Sequence, residues 1–445
     1  MVLIILAFLL PHSHIIAQWT NDPMVNTPVC TTPGGKEALS IVPDGSGGVI
    51  ILFMTGHPEY DLYAQRLDAN GFIRWQPSGI PISVAEGLQA SGTAISDGDG
   101  GAIIAWLDNL YVGGFPDTAL IHVQRIDSSG NLVWGSQGIS IFKAKAGLVG
   151  VDVILMTSDG AHGTIVVWGD TRNGNYAPFA QHVDANGTLT WTENGVLLCD
   201  STVNQLPRKI ISDGNGGAIV LGSIVQCNVS CDYDVFLQHV NSSGKSTWTP
   251  QGIPVDTSIV RIKTPGGIVS DDNGGAIVFW SRYEAGAVSP IFTQRIDANG
   301  GFLWGAGSVQ ISTTSWQEIK SVADGEGGAI VTWYDYDTLG NGRYYTQRIN
   351  SAGNIDWKID LVDIGNVQSA FDAVPDGSGG VYLTWDEVTA DADGDIYVQQ
   401  VSHSGSKRWQ GHGAPVTTAP GSSGVASLSV HWKWRCGRHM GCRCS

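Results

Sequence analysis

Two motifs recur along this chain at fixed spacing, and together they leave few folds open. The first is D-x-x-G-G followed by a short apolar run. It begins at Asp44, Asp97, Asp159, Asp213, Asp271, Asp324 and Asp376, with His162 replacing the first Gly of the third copy. Nine residues after each Asp stands an aromatic (Phe53, Trp106, Trp168, Trp280, Trp333, Trp385), with Gly222 as the exception. The second motif is a Gln followed ten residues later by a Trp: Gln65/Trp75, Gln124/Trp134, Gln181/Trp191, Gln238/Trp248, Gln294/Trp304, Gln347/Trp357 and Gln399/Trp409. Copies of 52 to 62 residues follow one another seven times. A length of 445 residues would otherwise suggest about three domains. Fixed spacing between uncommon residues instead marks stacked copies of one small unit.

Each copy reads as four short strands. The first is the apolar run before the Asp, such as Ala38 to Val42, and a Gly-rich turn follows it. The second, as in Gly328 to Trp333, is apolar almost without interruption, the pattern of a strand buried on both faces. The third alternates with period two, placing Tyr63, Gln65 and Leu67 on one side and Ala64, Arg66 and Asp68 on the other. A turn such as Asp68-Ala69-Asn70-Gly71 leads to the fourth, which carries the Trp.

An isolated four-stranded sheet cannot bury both faces, whereas blades packed around an axis can, leaving only short protected edges. The expected class is therefore all-β, a β-propeller of seven complete four-stranded blades. Repeats fall near 38-83, 91-142, 152-199, 207-255, 265-312, 318-364 and 370-416. A right-handed β-solenoid competes, but its repeats are shorter and need no long variable loop.

The two ends differ from the rest. Residues 1-17 are apolar through Leu10, break at Pro11 and offer Ile15 and Ala17 before Gln18, which reads as a signal peptide too short for a membrane span. The expectation is an exported protein, secreted or displayed at a bacterial cell surface, with no membrane span. Residues 18-430 form the propeller. Trp19 to Val29 resembles the end of a repeat, so the N-terminus is expected to supply an outer strand to the last blade. Residues 431-445 hold three of the seven Cys and three Arg. Read from the second base of each codon, Trp432-Lys433-Trp434 becomes Gly-(Asn or Ser)-Gly, and Met440-Gly441 yields Trp. That restores the repeat signature, so the tail reads as out of frame and a longer parent as carrying an eighth blade.

Composition excludes several classes. Glycine is twice as common as usual, at 59 residues, but has no G-X-Y period, which removes collagen, and 42% hydrophobic residues suffice for a core. The net charge of −17 has no basic stripe to offset it, so a nucleic-acid partner is not expected.

The segment D-x-x-G-x-x-x-W, as in Asp127-Ser128-Ser129-Gly130-Asn131-Leu132-Val133-Trp134, resembles the tryptophan-docking repeat A-x-D-x-x-T-G-x-x-x-W. That repeat belongs to quinoprotein (PQQ-type) propellers and to the propeller lipoprotein of outer-membrane assembly. One residue and the Thr before the Gly are missing here. The whole repeat also resembles modules of large secreted bacterial surface proteins. The resemblance implies the propeller fold and says little about activity, because one fold hosts many.

Residues present in every copy cannot mark a single active site. The Gln anchors read as buried amides satisfying backbone groups, and the Trp anchors as packing between blades. Arg66, Arg125, Arg295 and Arg348 each precede an Asp or Asn by two residues and are expected to form weak surface pairs with it. His182 and His239, at the same position, read as exposed. The variable element is the connection between second and third strands, longest at Leu107 to Val123 and rich in Tyr and Asp (Tyr60-Asp61, Asp232-Tyr233-Asp234, Tyr334-Asp335-Tyr336-Asp337). Such loops are where binding evolves on a rigid scaffold, and Tyr beside carboxylates suits a carbohydrate or a protein ligand. Asp391, Asp393 and Asp395 alternate as calcium ligands could, although the EF-hand pattern is not met. Cys227 and Cys231 share one loop and could close a small disulfide, while Cys30 and Cys199 read as buried small side chains.

No metalloprotease, nucleophile-elbow, P-loop or zinc pattern occurs, so no catalytic residue and no cofactor other than calcium is identified. The first reading is a binding or interaction module whose loops form the contact face. The alternative is an extracellular carbohydrate-active enzyme, hydrolase or lyase, using loop carboxylates. A quinoprotein-like oxidoreductase ranks third.

Overall fold

A computed structural model of the protein describes residues 29–30, 36–56, 60–85, 88–112, 115–145, 151–200, 202–227, 231–260, 262–283, 289–305, 307–313, 317–336, 342–363, 371–388, 394–411, 413–417, 424–425 and 435–436. Among them there is no helix. Seven antiparallel four-stranded sheets follow in chain order, each a meander, and they form a seven-bladed β-propeller.

Blade one is β1 (Lys36–Pro43), β2 (Val49–Thr55), β3 (Leu62–Leu67) and β4 (Ile80–Ser83). Blade two is β5 (Leu88–Ser96), β6 (Ala102–Val112), β7 (Phe115–Ile126) and β8 (Ile139–Lys145). Blade three is β9 (Val151–Ser158), β10 (Thr164–Asp170), β11 (Ala177–Val183) and β12 (Val196–Leu197). Blade four is β13 (Asn204–Ser212), β14 (Ala218–Cys227), β15 (Cys231–Val240) and β16 (Ile253–Pro254). Blade five is β17 (Lys263–Ser270), β18 (Ala276–Arg282), β19 (Ile291–Ile296) and β20 (Val309–Gln310). Blade six is β21 (Gln317–Ala323), β22 (Ala329–Tyr336), β23 (Gly342–Ile349) and β24 (Ile355–Asp363). Blade seven is β25 (Phe371–Pro375), β26 (Val381–Val388), β27 (Gly394–Val401) and β28 (Ala414–Thr417).

The core lies between blades, not within them. Because successive side chains of a strand point to opposite faces, Ala102, Ile104 and Trp106 of β6 pack toward blade one, while Ile103 and Ala105 pack toward blade three. The same division recurs at each junction through blade seven. This is the physical content of the uninterrupted apolar second strand. First strands of consecutive blades also touch, from β1 against β5 through β21 against β25, so they line the centre of the ring.

The long connection in blade two differs from the expectation of a loop. Residues Ala102–Val112 and Phe115–Ile126 form two extended strands paired nearly to the tip. On the far face of blade one, Val29 packs with Ile41, Ile51 and Leu67. Residues 1-17 and Trp19 lie outside the described residues. Of the tail, β29 (Gly424–Val425) pairs with β30 (Arg435–Cys436), and this ribbon touches both β26 of blade seven and β1 of blade one. No helix is long and apolar enough to cross a membrane.

Candidate functional site

The antiparallel meander gives the molecule two ends. At the turn end lie the connections from first to second and from third to fourth strands; at the loop end lie the second-to-third and interblade connections.

The turn end repeats the same chemistry seven times. One oxygen of Asp44 accepts the backbone N–H groups of Ser46 and Gly48, both at 2.8 Å, and closes the Gly-rich turn. Its other oxygen accepts from Arg66, at 3.0 and 2.9 Å. The same second-oxygen contact is made by Arg125 to Asp97, His182 to Asp159, His239 to Asp213, Arg295 to Asp271, Arg348 to Asp324 and Gln400 to Asp376. Burial alone would raise the Asp44 carboxyl, but these hydrogen bonds outweigh it and hold the group below the usual carboxylate range. Two expectations are thereby corrected. The arginines do not form surface pairs with the Asp or Asn two residues on; they reach buried carboxylates across the sheet. Asp68 shows why: one of its oxygens accepts N–H groups of its own turn, from Asn70 and Phe72, and Arg74, in the segment between third and fourth strands, reaches the carboxylate. His182 and His239 are likewise not free surface residues but partners of Asp159 and Asp213, at 2.8 Å each.

The Gln side chains are fully or almost fully buried. Gln65, Gln124, Gln181, Gln238 and Gln294 each donate to the carbonyl eleven residues on, between 2.6 and 3.1 Å, and Gln399 donates to Trp409 O. Their carbonyl oxygens accept the next backbone N–H and, in most copies, that of the Trp ten residues on. Gln347 departs: its Nε2 has no partner among the described residues. There β23 and β24 pair continuously, Gln347 opposite Lys358, so the carbonyl that receives the amide elsewhere is drawn into the ladder.

The Trp side chains join blade to blade. Trp75, Trp134, Trp191, Trp248, Trp304 and Trp357 each donate the indole N–H to a carbonyl in the following blade's last turn: Ser128, Ala185, Ser242, Ala298, Ser351 and His403, at 2.9 to 3.2 Å. The ring lies over the Gly of that turn. At Gly244 a Cβ would stand 2.8 Å from the Trp191 ring, on a backbone with φ +80. Trp409 is half-buried. A possible cation site also falls at this end, where Asp324, Glu326 and His403 converge. The Arg348 guanidinium already holds Asp324 at 2.9 Å and Glu326 at 2.7 Å, so a cation of the protein's own fills that position.

The loop end has no repeated chemistry. Two residues beyond the second-strand Trp, blade two has Asp108, blade three Asp170 and blade five Arg282. Asp170 accepts from the Trp168 indole at 2.8 Å and from Arg172 at 2.6 Å, while that guanidinium stacks over Phe179 at 3.8 Å. Arg282 instead finds Asp256 of the interblade connection, which also accepts from the Trp280 indole at 2.9 Å. Among the described residues Asp108 has no such cation. It is 4% exposed, accepts from Gln89 Nε2 at 3.2 Å, and lies near His122. His122 occupies the third-strand position where other blades place Tyr or Phe against the second-strand aromatic, and it stacks on Trp106 at 5.3 Å. Burial pushes the Asp108 carboxyl up, against the hydrogen bond from Gln89 and the field of His122. Burial pushes the His122 imidazole down, against Asp108 and the Gln137 backbone. His122 Nδ1 and Trp106 Nε1 have no hydrogen-bond partner among the described residues. Asp108 and His122 were not singled out as site residues in the sequence, although a histidine in an aromatic column was the available signal.

Between blades four and five the loop end exposes apolar side chains. Ile259 is fully exposed, Tyr283 52% and Tyr233 38%, with Ile262 beside them. Tyr233 and Ile262 form a backbone bridge, and Tyr283 N–H donates to Ile262 O at 2.8 Å. Beneath them Lys263, 3% exposed, donates to Asp234 at 2.6 Å and to the Ser258 carbonyl at 2.8 Å.

Of the other sequence candidates, Asp391 and Asp393 lie outside the described residues, and Asp395 is half-buried on β27. Cys227 and Cys231 face each other in register at the end of the β14–β15 hairpin, though their side chains are not among those described. Cys30 and Cys199 are buried, and burial pushes the Cys199 thiol up to about 12.

No protein-family model and no curated protein sequence matches the chain. Among solved structures, it is similar to the β-propeller domain of the Trilobed protease from Pyrococcus furiosus (11% identity, 87% of this chain and 99% of that one, TM-score 0.46). It is also similar to a protein of unknown function from Dyadobacter fermentans (10%, 83% and 95%, 0.43) and to an α-L-arabinanase from Penicillium chrysogenum complexed with arabinobiose (11%, 76% and 100%, 0.37). At such identities the likeness concerns fold alone.

Proposed function

We propose that this propeller is an exported binding module whose contact face is the loop end. The observation that carries the reading is the patch of Tyr233, Ile259, Ile262 and Tyr283, exposed yet underlain by the buried Lys263, which donates to Asp234. Aromatic faces flanked by Asp232 and Asp234 offer stacking surface and hydrogen-bond acceptors together, which suits a sugar ring. The repeated charges support it from the other side, since the seven turn carboxylates are engaged by the scaffold. A glycan array tests it: retention of a glycan that the Tyr233→Ala/Tyr283→Ala double variant no longer retains is the expected result. Capture of a protein and no glycan would shift the ligand class, and no ligand of either kind would defeat the reading.

A carbohydrate-active enzyme is the second reading, supported by Asp108, whose raised carboxyl is the property a general acid needs. Turnover in a polysaccharide screen, lost in Asp108→Asn, would favour it. The indole-over-glycine contact between blades supports kinship with tryptophan-docking propellers. Calcium at Asp391, Asp393 and Asp395 is a separate proposal, supported by their alternation in the sequence; calcium should raise the melting temperature, and Asp393→Asn should remove that effect. The register of Cys227 against Cys231 supports a disulfide in an oxidising compartment, to be read by non-reducing peptide mapping.

A further inference from the structure

The centre of the ring carries charge that neither the repeated scaffold nor the loop face uses. Lys209 on β13, Lys320 on β21 and Asp372 on β25 each stand four residues before their blade's turn Asp, at Asp213, Asp324 and Asp376. They therefore occupy one equivalent position on first strands, which line the centre. At this position the side chain leans toward the following blade. Lys320 Nζ reaches Asp372 in blade seven at 3.4 Å, and is met from its own strand by Glu318 at 2.8 Å. Although burial opposes it, Asp372 and Glu318 hold the Lys320 ammonium above its usual range.

In blade five, which follows that of Lys209, the residue equivalent to Asp372 is Gly267. No carboxylate stands there. A Cβ at Gly267 would lie 2.4 Å from Ser321 Oγ and 3.2 Å from its Cβ, so a larger side chain would require the Ser321 hydroxyl to turn away. Lys209 is solvent-accessible and makes no ion pair among the described residues. The surrounding protein, and then the repulsion of Lys320, hold its ammonium below the usual lysine range, against the pull of Glu318 and Asp372. The two lysines stand at the same level, and among the described residues only Lys320 has a carboxylate within ion-pair distance.

We infer that the central channel beside Gly267 is a binding site for a ligand carboxylate, held by Lys209 in the place that Asp372 takes for Lys320. The ligand class is a small molecule or glycan unit bearing a carboxylate, such as a uronic acid. A bound anion would also relieve the repulsion between the two lysines. This site is distinct from the Tyr233–Tyr283 patch and stands or falls separately.

The test uses D-glucuronate against D-glucose, followed by saturation-transfer NMR on the full chain. Saturable binding of glucuronate and none of glucose is expected. Lys209→Gln should weaken it at least about tenfold, the scale of a lost hydrogen bond to a charged group, while Lys209→Arg should keep it and Tyr233→Ala/Tyr283→Ala should leave it unchanged. Lys209 is exposed, and an unaltered unfolding midpoint in Lys209→Gln will show that the ring is intact. Equal binding of glucose, no binding of glucuronate, or wild-type affinity in Lys209→Gln would each overturn the assignment.

Discussion

Blades two and three place an aspartate at the same point, two residues past a buried tryptophan, and then treat it in opposite ways. Asp170 is closed in by the Trp168 indole, the Arg172 guanidinium and the ring of Phe179 beneath it. Among the described residues Asp108 accepts from Gln89 alone, and its neighbours His122 and Trp106 keep polar nitrogens without partners. Asp108 lies inside the long β6–β7 hairpin whereas Asp170 ends β10, and the side chains around each carboxylate differ accordingly. A carboxylate completed by its own cation is a structural part; one left short of partners is available to something else.

The largest test of that contrast is Asp170→Ala. It leaves the Arg172 guanidinium and the Trp168 N–H without an acceptor, and should cost about 3 kcal/mol, the scale for breaking a buried pair. A urea midpoint within error of wild type would show that Asp170 is no more structural than Asp108. Asp108→Asn should do the reverse. A raised carboxyl favours the protonated native state below its unfolded value and loses that advantage as pH rises through the folded one. The amide, which cannot ionise, should therefore be more stable at neutral pH by on the order of 1 kcal/mol, with the difference vanishing near pH 3. Smallest is His122→Phe, which restores the aromatic of the other blades. A lowered imidazole contributes stability above its usual value that is lost as pH falls through the folded one. The variant should change neutral-pH stability by less than about 1 kcal/mol and flatten the wild-type decline below pH 6.5. An unchanged decline would place the acid sensitivity elsewhere.

Much of the fold was legible because each blade faces the same problem, burial of a sheet on both sides, and solves it with the same residues at the same spacing. Gln65 and Trp75 could be paired by counting, since the amide bridges a turn of fixed length within one blade. Contacts between blades were less visible. That Trp191 lies over Gly244, or that Arg66 reaches back to Asp44 rather than forward to Asp68, depends on how strands are set side by side. The candidate sites are harder still. His122 differs from its column by one residue type, and Lys209 matters only because its equivalent in the next blade is Gly267 and not a carboxylate, a relation with no trace in local sequence.

The indole contact has a consequence for how such a molecule comes into being. Since Trp75 rests on the turn at Gly130, and so on down the line to Trp357 on Gly405, no unit is finished until its successor exists. In a chain emerging from the ribosome, the newest indole therefore has no turn to rest on until the next unit has followed it.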